Sequence, residues 1–80
     1  MNASARAKVN ELVQKHQVQG KFAYEFEGPV GPRHSQEWTA RALYDGLEFG
    51  KGKGSSKEAA KEAAAQVALG PLARQLNLRS

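Results

Sequence analysis

An α+β domain of order α-β-β-β-α, built on a three-stranded antiparallel sheet, follows from three patterns in the sequence. An apolar repeat every three to four residues near the N-terminus predicts a helix. Two stretches that alternate with a period of two, followed by an Asp-Gly pair, predict strands connected as a meander. An alanine-rich run behind two serines predicts a second helix.

The first helix is expected over Ser4 to His16, where Val9, Leu12, Val13 and His16 share a face and Lys8, Glu11 and Lys15 fall on the other. Asn2 or Ser4 is positioned to cap it, and Gly20 ends any helix that persists past His16. Phe22, Tyr24 and Phe26 then alternate with Ala23, Glu25 and Glu27, the pattern of a half-buried strand. Gly28-Pro29-Val30-Gly31-Pro32-Arg33-His34 holds too many breakers for a strand and predicts a loop. Trp38, Ala40 and Ala42 on one face, with Thr39, Arg41 and Leu43 on the other, make a second strand. Asp45-Gly46 turns the chain, and Leu47 and Phe49 begin a third strand.

Gly50-Lys51-Gly52-Lys53-Gly54 is expected as a flexible basic loop. Ser55-x-x-Glu58 has the spacing of a capping box and starts a helix from about Lys57 to Leu69, which Gly70-Pro71 stops. Ala59, Ala60, Ala63, Ala64, Val67 and Ala68 give that helix a small-residue face able to approach the sheet, with the large aromatics of the sheet filling the space. Residues 4–69 form the domain. Residues 70–80 are expected as a C-terminal extension, either a linker or one more short helix carrying Leu72 and Leu76 on one face.

The 80 residues fit one small domain with a modest core. Absence of cysteine leaves the fold to packing alone and excludes a thiolate metal site. No apolar run approaches the roughly 18–20 residues of a membrane span, and Met1–Gln14 lacks the apolar centre of a signal peptide. The expectation is an intracellular soluble module with no membrane partner.

Catalytic and cofactor signatures fail. Five residues after Gly50 stands Ser55, which breaks both the phosphate-loop and the dinucleotide patterns. His16 and His34 lie in different segments without metal-ligand spacing, and Ser55 and Ser56 have no nearby base. Glu25 and Glu27 share a strand face, where solvated carboxylates are far commoner than a catalytic pair. The expectation is therefore no enzyme, no cofactor, no metal and no small-molecule substrate.

The net charge of +4 gains meaning from its placement. Lys51, Lys53, Lys57 and Lys61 lie close together with Glu58 the one acid among them. Lys57 and Lys61 are a turn apart near a helix start, where the dipole favours anions and like charges repel. That arrangement suits a polyanion backbone, although lysines there also simply solubilise an alanine-rich helix.

At this point the residues resemble a family. Gly52-Lys53-Gly54-Ser55-Ser56-Lys57-Glu58-Ala59-Ala60-Lys61, continuing to Ala65, is similar to the double-stranded RNA-binding domain signature G-x-G-x-S-K-K-x-A-K-x-x-A-A. Val30-Gly31-Pro32-Arg33-His34 resembles its G-P-x-H loop, with Trp38 as the following aromatic and Tyr24 as the first-strand tyrosine. Val9-Asn10-Glu11-Leu12 resembles the L-x-E-L of its first helix. The match covers about residues 4–69 with three motifs in order.

The resemblance implies two helices packed on one face of the sheet and a duplex RNA partner read by shape rather than sequence. It places Asn10 and Glu11 at 2′-hydroxyls and base edges of one minor groove, and Pro32 and His34 in the next. Lys57 and Lys61 would bridge phosphates across the intervening major groove, with Lys53 and the Ser55 and Ser56 amides nearby. Outside the RNA role, Glu11 has Lys15 at i,i+4, and a loop histidine such as His34 is ordinarily just solvated. The family's middle lysine is Glu58 here. A capping box with Ser55 would fold Glu58 back; otherwise its charge costs about 1 kcal/mol of binding. Two alternatives stand beside the RNA-binding module. One is a protein-interaction or homodimer domain of the same fold using Leu72, Leu76 and Leu78. The other is the RNA-tethering domain of a larger RNA-processing enzyme.

Overall fold

A computed structural model describes residues 4–78. Its elements are α1 (Ala5–Lys15), β1 (Phe22–Val30), β2 (Glu37–Tyr44), β3 (Leu47–Gly54) and α2 (Lys57–Leu78), with short 3-10 turns at Gln19–Lys21 and Arg33–Ser35. The sheet is antiparallel in the order β1-β2-β3, and the predicted α-β-β-β-α order is what the chain adopts.

Ser4 caps α1, its hydroxyl accepting from the Ala7 amide at 3.1 Å. Asn2, the other candidate cap, lies outside the described residues. The helix ends without Gly20: Gln17 takes the left-handed conformation at φ 57° and turns the chain. Val9 and Val13 are buried as their spacing requires. Asp45-Gly46 forms the hairpin turn with both residues at positive φ.

Five expectations need correction. The first strand does not stop at Glu27. Gly28-Pro29 is absorbed as a bulge and pairing resumes at Val30 with Glu37. Proline is tolerated because β1 is an edge strand with no further ladder to supply.

Gly50-Lys51-Gly52-Lys53-Gly54 is not a flexible loop but most of β3, paired to β2 from Ala42 through Trp38. Gly50, Gly52 and Gly54 all face α2, and the reason is space. A Cβ at Gly50 would sit 2.5 Å from the Ala64 carbonyl oxygen, one at Gly54 2.6 Å from the Ala60 nitrogen, and one at Gly52 would overlap the backbone of Ala63 and Ala64. Ala40 and Ala42 of β2, both fully buried, complete the seat. Small residues therefore make the closest contact with the helix, while Phe26 and Trp38 pack against Ala60 and Ala64, and Tyr44 is buried with Ala65, Leu72 and Leu76. The helix face differs accordingly: Ala60, Ala64, Ala65 and Ala68 are buried, while Val67 is exposed.

Of the two serines expected before α2, Ser56 is the cap, so the Ser55–Glu58 capping box does not form. The Ser56 hydroxyl accepts from the Ala59 amide at 3.1 Å and its carbonyl from the Ala60 amide at 2.9 Å.

Finally, Gly70-Pro71 does not stop α2, which continues to Leu78 with Pro71 inside it. The residue before a proline is normally pushed out of the helical region by contact with its Cβ, and Gly70 has none. Leu72 and Leu76, both fully buried with Val9, Val13, Val18 and Tyr44, hold the extension to the body of the domain. Those two leucines are spent in the chain's own core and are not available to a second copy; Leu78 alone of the three is exposed. No helix among the described residues is long and apolar enough to cross a membrane.

The contact between β3 and α2 gives a direct test. Gly52→Ala should lower unfolding stability by about 2 kcal/mol or more, since backbone rather than a flexible side chain must yield. Gly20→Ala, with open space at its Cβ position, should change it little. Denaturant titration of the two variants distinguishes them.

Candidate nucleic-acid interface

Because α2 lies along β3, its first two turns overhang the aromatic residues that the sheet places beside the glycine track. Lys57 Nζ stands 5.0 Å from the centre of the Trp38 ring and 5.6 Å from that of Phe26. Lys61 Nζ stands 5.4 Å from the Tyr24 ring centre and 6.0 Å from that of Phe26. Ring faces attract cations by about 0.5–1 kcal/mol at exposed sites. That attraction offsets the dipole and like-charge penalties that two lysines incur at a helix start. The aromatic row thus holds two ammonium groups a turn apart.

The β1–β2 loop comes to the same end of the sheet as the β3–α2 turn, since Trp38 pairs with Gly54 and Val30 with Glu37. Gly31 shapes this loop: its φ of 101° and the 2.9 Å approach to the Ser35 carbonyl oxygen leave no place for a side chain. The Pro32 carbonyl accepts from the Ser35 amide at 2.8 Å, closing a turn that leaves Pro32 and His34 exposed. Ser55, Ser56 and Lys57 are exposed on the neighbouring turn.

Lys53 does not join this group. It projects from the face of β3 opposite the glycines and lies 3.9 Å from Glu37. That outer face carries Glu25, Glu27, Glu37 and Glu48. Arg41 at its centre reaches Glu25 at 3.4 Å, Glu27 at 3.3 Å and Glu48 at 4.0 Å, so the two strand carboxylates flank an arginine. Among the described residues, no group of three His, Asp or Glu side chains is placed to hold a metal ion.

α1 is tied to α2 by residues that the sequence motifs do not mark. The Glu62 carboxylate accepts from the Ala5 amide at 2.8 Å and the Arg6 amide at 3.2 Å, capping α1 from another helix. Arg6 Nε donates to Glu62 at 3.2 Å, and Arg6 Nη1 to Glu58 at 2.6 Å. Glu58 does not close a capping box with Ser55; it is drawn to Arg6. Its charge is matched by a cation rather than left beside the two lysines. One sign was available in advance: Glu58 and Glu62 stand at i,i+4, a like-charge pair that is unfavourable without a cation between them.

The network brings the N-terminal half of α1 alongside Lys61. Asn10 lines a shallow cavity together with Arg6, Tyr24 and Lys61. Glu11, one position on, is exposed and lines a separate groove with Lys8, Lys15, Leu69 and Ala73. The backbone amide of Ala5 above all holds the Glu62 carboxyl below its ordinary value, against the next-largest effect, burial, which raises it; the Arg6 amide and guanidinium and the Gln66 amide add to the lowering.

Comparison with known proteins adds the family. Residues 5–70 match the model of the double-stranded RNA binding motif. The chain is 39% identical over 59 residues to Ribonuclease 3 of Aliarcobacter butzleri, covering 69% of this chain and 26% of that protein. It is 39% identical over 64 residues to Ribonuclease 3 of Geobacillus thermodenitrificans, with 80% and 26% covered. With Ribonuclease 3 of Listeria welshimeri the identity is 31% over 67 residues, with 84% and 29% covered. The chain thus spans little more than a quarter of these relatives.

The interhelical carboxylate predicts a pH dependence. A glutamate whose folded value lies below its unfolded one contributes stability that is complete above the unfolded value. That contribution is lost as pH falls through the folded value. Thermal unfolding midpoints should therefore drop between about pH 5 and pH 3 more steeply in the parent than in Glu62→Gln. Parallel profiles would show that the charge of Glu62 is not held by α1.

Proposed function

This chain belongs to the double-stranded RNA binding motif family and binds double-stranded RNA, and we propose that it does so through one surface made of three elements. Lys57 and Lys61 contact phosphates across a major groove, beside the backbone amides of Ser55 and Ser56. Asn10 and Glu11 of α1 enter one flanking minor groove, and Pro32 and His34 of the β1–β2 loop enter the other. A carbonyl or imidazole nitrogen there can meet a 2′-hydroxyl, which DNA lacks. Recognition follows A-form shape over about 16 base pairs rather than sequence.

The observation that carries this reading is the aromatic seating of the two lysines. Stability alone would favour acids at these positions, and the chain instead invests Tyr24, Phe26 and Trp38 in holding cations there. Lys53 stands outside the surface and serves as its control.

The relatives bear the name Ribonuclease 3, and the segment they share with this chain is about a quarter of their length. That proportion supports reading the domain as the part that tethers duplex RNA for a ribonuclease whose cleaving residues are not among those described here.

Titration of a perfect RNA duplex, its DNA equivalent and single-stranded RNA at two salt concentrations tests the reading. Duplex RNA should bind best; failure to bind it at low salt overturns the proposal. Lys57→Ala or Lys61→Ala should weaken binding and lower the slope of log affinity against log salt by roughly one, while Lys53→Ala leaves the slope unchanged. His34→Ala should cost less affinity but narrow the gap between RNA and DNA. Equal losses on both duplexes would remove the 2′-hydroxyl contact from His34.

A further inference from the structure

We propose that the cavity between α1, β1 and α2 takes an unpaired nucleobase of the bound RNA, so that the domain prefers a duplex interrupted by a single unpaired nucleotide. This rests on the RNA-binding surface above and adds a selectivity that shape recognition of a perfect duplex lacks.

The cavity measures about 380 Å³, at the small end of ligand sites. Val9, Phe22 and Tyr24 form its apolar wall, the two rings meeting edge to face at 5.0 Å. Asn10 and Tyr24 line this space, and among the described residues neither side chain makes a hydrogen bond. The Tyr24 phenol, like any phenol, is a proton donor at neutral pH, and burial, foremost, pushes its value further up. An amide and a phenol beside an apolar wall match a heterocycle that has both a flat apolar body and a polar edge.

Charge argues against a free anion as the occupant. Arg6, the cation of the wall, is already matched by Glu58 at 2.6 Å and Glu62 at 3.2 Å. Lys61 is the remaining cation, with its ammonium over the Tyr24 ring. It belongs at once to the cavity and to the phosphate-facing pair, so a nucleotide can place its base in the cavity and its phosphate at Lys61. Stacked and paired bases of an A-form duplex are not free to enter, and an already unpaired base is extruded at least cost.

The test uses two RNA duplexes of the same flanking sequence, one perfect and one with a single unpaired adenosine, titrated against the parent, Ala7→Leu and Tyr24→Phe. Ala7 lines the cavity from an exposed position of α1, so leucine fills it without touching the core. The parent should bind the interrupted duplex about fivefold tighter, the worth of one net hydrogen bond with its contacts. Ala7→Leu should bring the ratio to one with perfect-duplex affinity retained, and Tyr24→Phe should reduce the ratio. Equal affinity of the parent for the two duplexes overturns the cavity proposal and leaves the RNA-binding reading intact. A preference that survives Ala7→Leu also overturns it. No binding of either duplex overturns both readings.

Discussion

The close approach of α2 to β3 is the constraint from which the other features of this domain follow. Three glycines at a period of two leave helix and strand in backbone contact, and the alanines above them complete a layer of methyl groups and peptide planes. Such a contact gains little from side-chain burial, but it fixes distance and direction closely because neither surface can repack. Tyr44 is buried under the later turns of the helix, while Phe26 and Trp38 pack beside its first turns. A row of half-buried rings thus lies beside the helix start, and that row seats Lys57 and Lys61.

The same geometry separates the charges. Strand alternation sends Lys51 and Lys53 to the face opposite the glycines, where Lys53 lies 3.9 Å from Glu37 and Lys51 stands across from Arg41. Four lysines that are neighbours in sequence thus divide between the outer sheet face, which also carries Glu25, Glu27 and Glu48 around Arg41, and the face where they are presented. The overall charge of +4 understates the contrast between these faces.

Side-chain periodicity made much of this legible. Val9 and Val13 declare the buried face of α1; Ala40 and Ala42 that of β2; Asp45-Gly46 declares the turn. The motif residues likewise announced the lysine pair and the Pro32–His34 loop. What escaped has specific causes. In Gly50 to Gly54 the period of two is present, but strand signals are read from β-branched and aromatic side chains, and glycine shows its purpose only against a neighbour. Pro71 signals a stop by local rules, and burial of Leu72 and Leu76 overrides it. The Arg6–Glu62 contact joins residues 56 positions apart, so no local window contains it.

Glu58 shows how such a distant contact alters the meaning of a motif. Judged along the helix alone, a carboxylate between two phosphate-facing lysines is a defect, and a capping box is its one local remedy. The fold supplies another. Arg6, brought over by the seating of α1 on α2, takes Glu58 at 2.6 Å and, with the helix start, takes Glu62. The two acids then act together as a clamp that sets the position of α1 against α2. Since α1 carries Asn10 and Glu11 while α2 carries Lys57 and Lys61, the spacing between the proposed groove and phosphate contacts is set by this clamp. Replacing Glu58 with the family's lysine would add a charge toward RNA but remove a carboxylate from Arg6. A substitution that looks like a gain along the motif therefore also loosens the element that gives the motif its geometry.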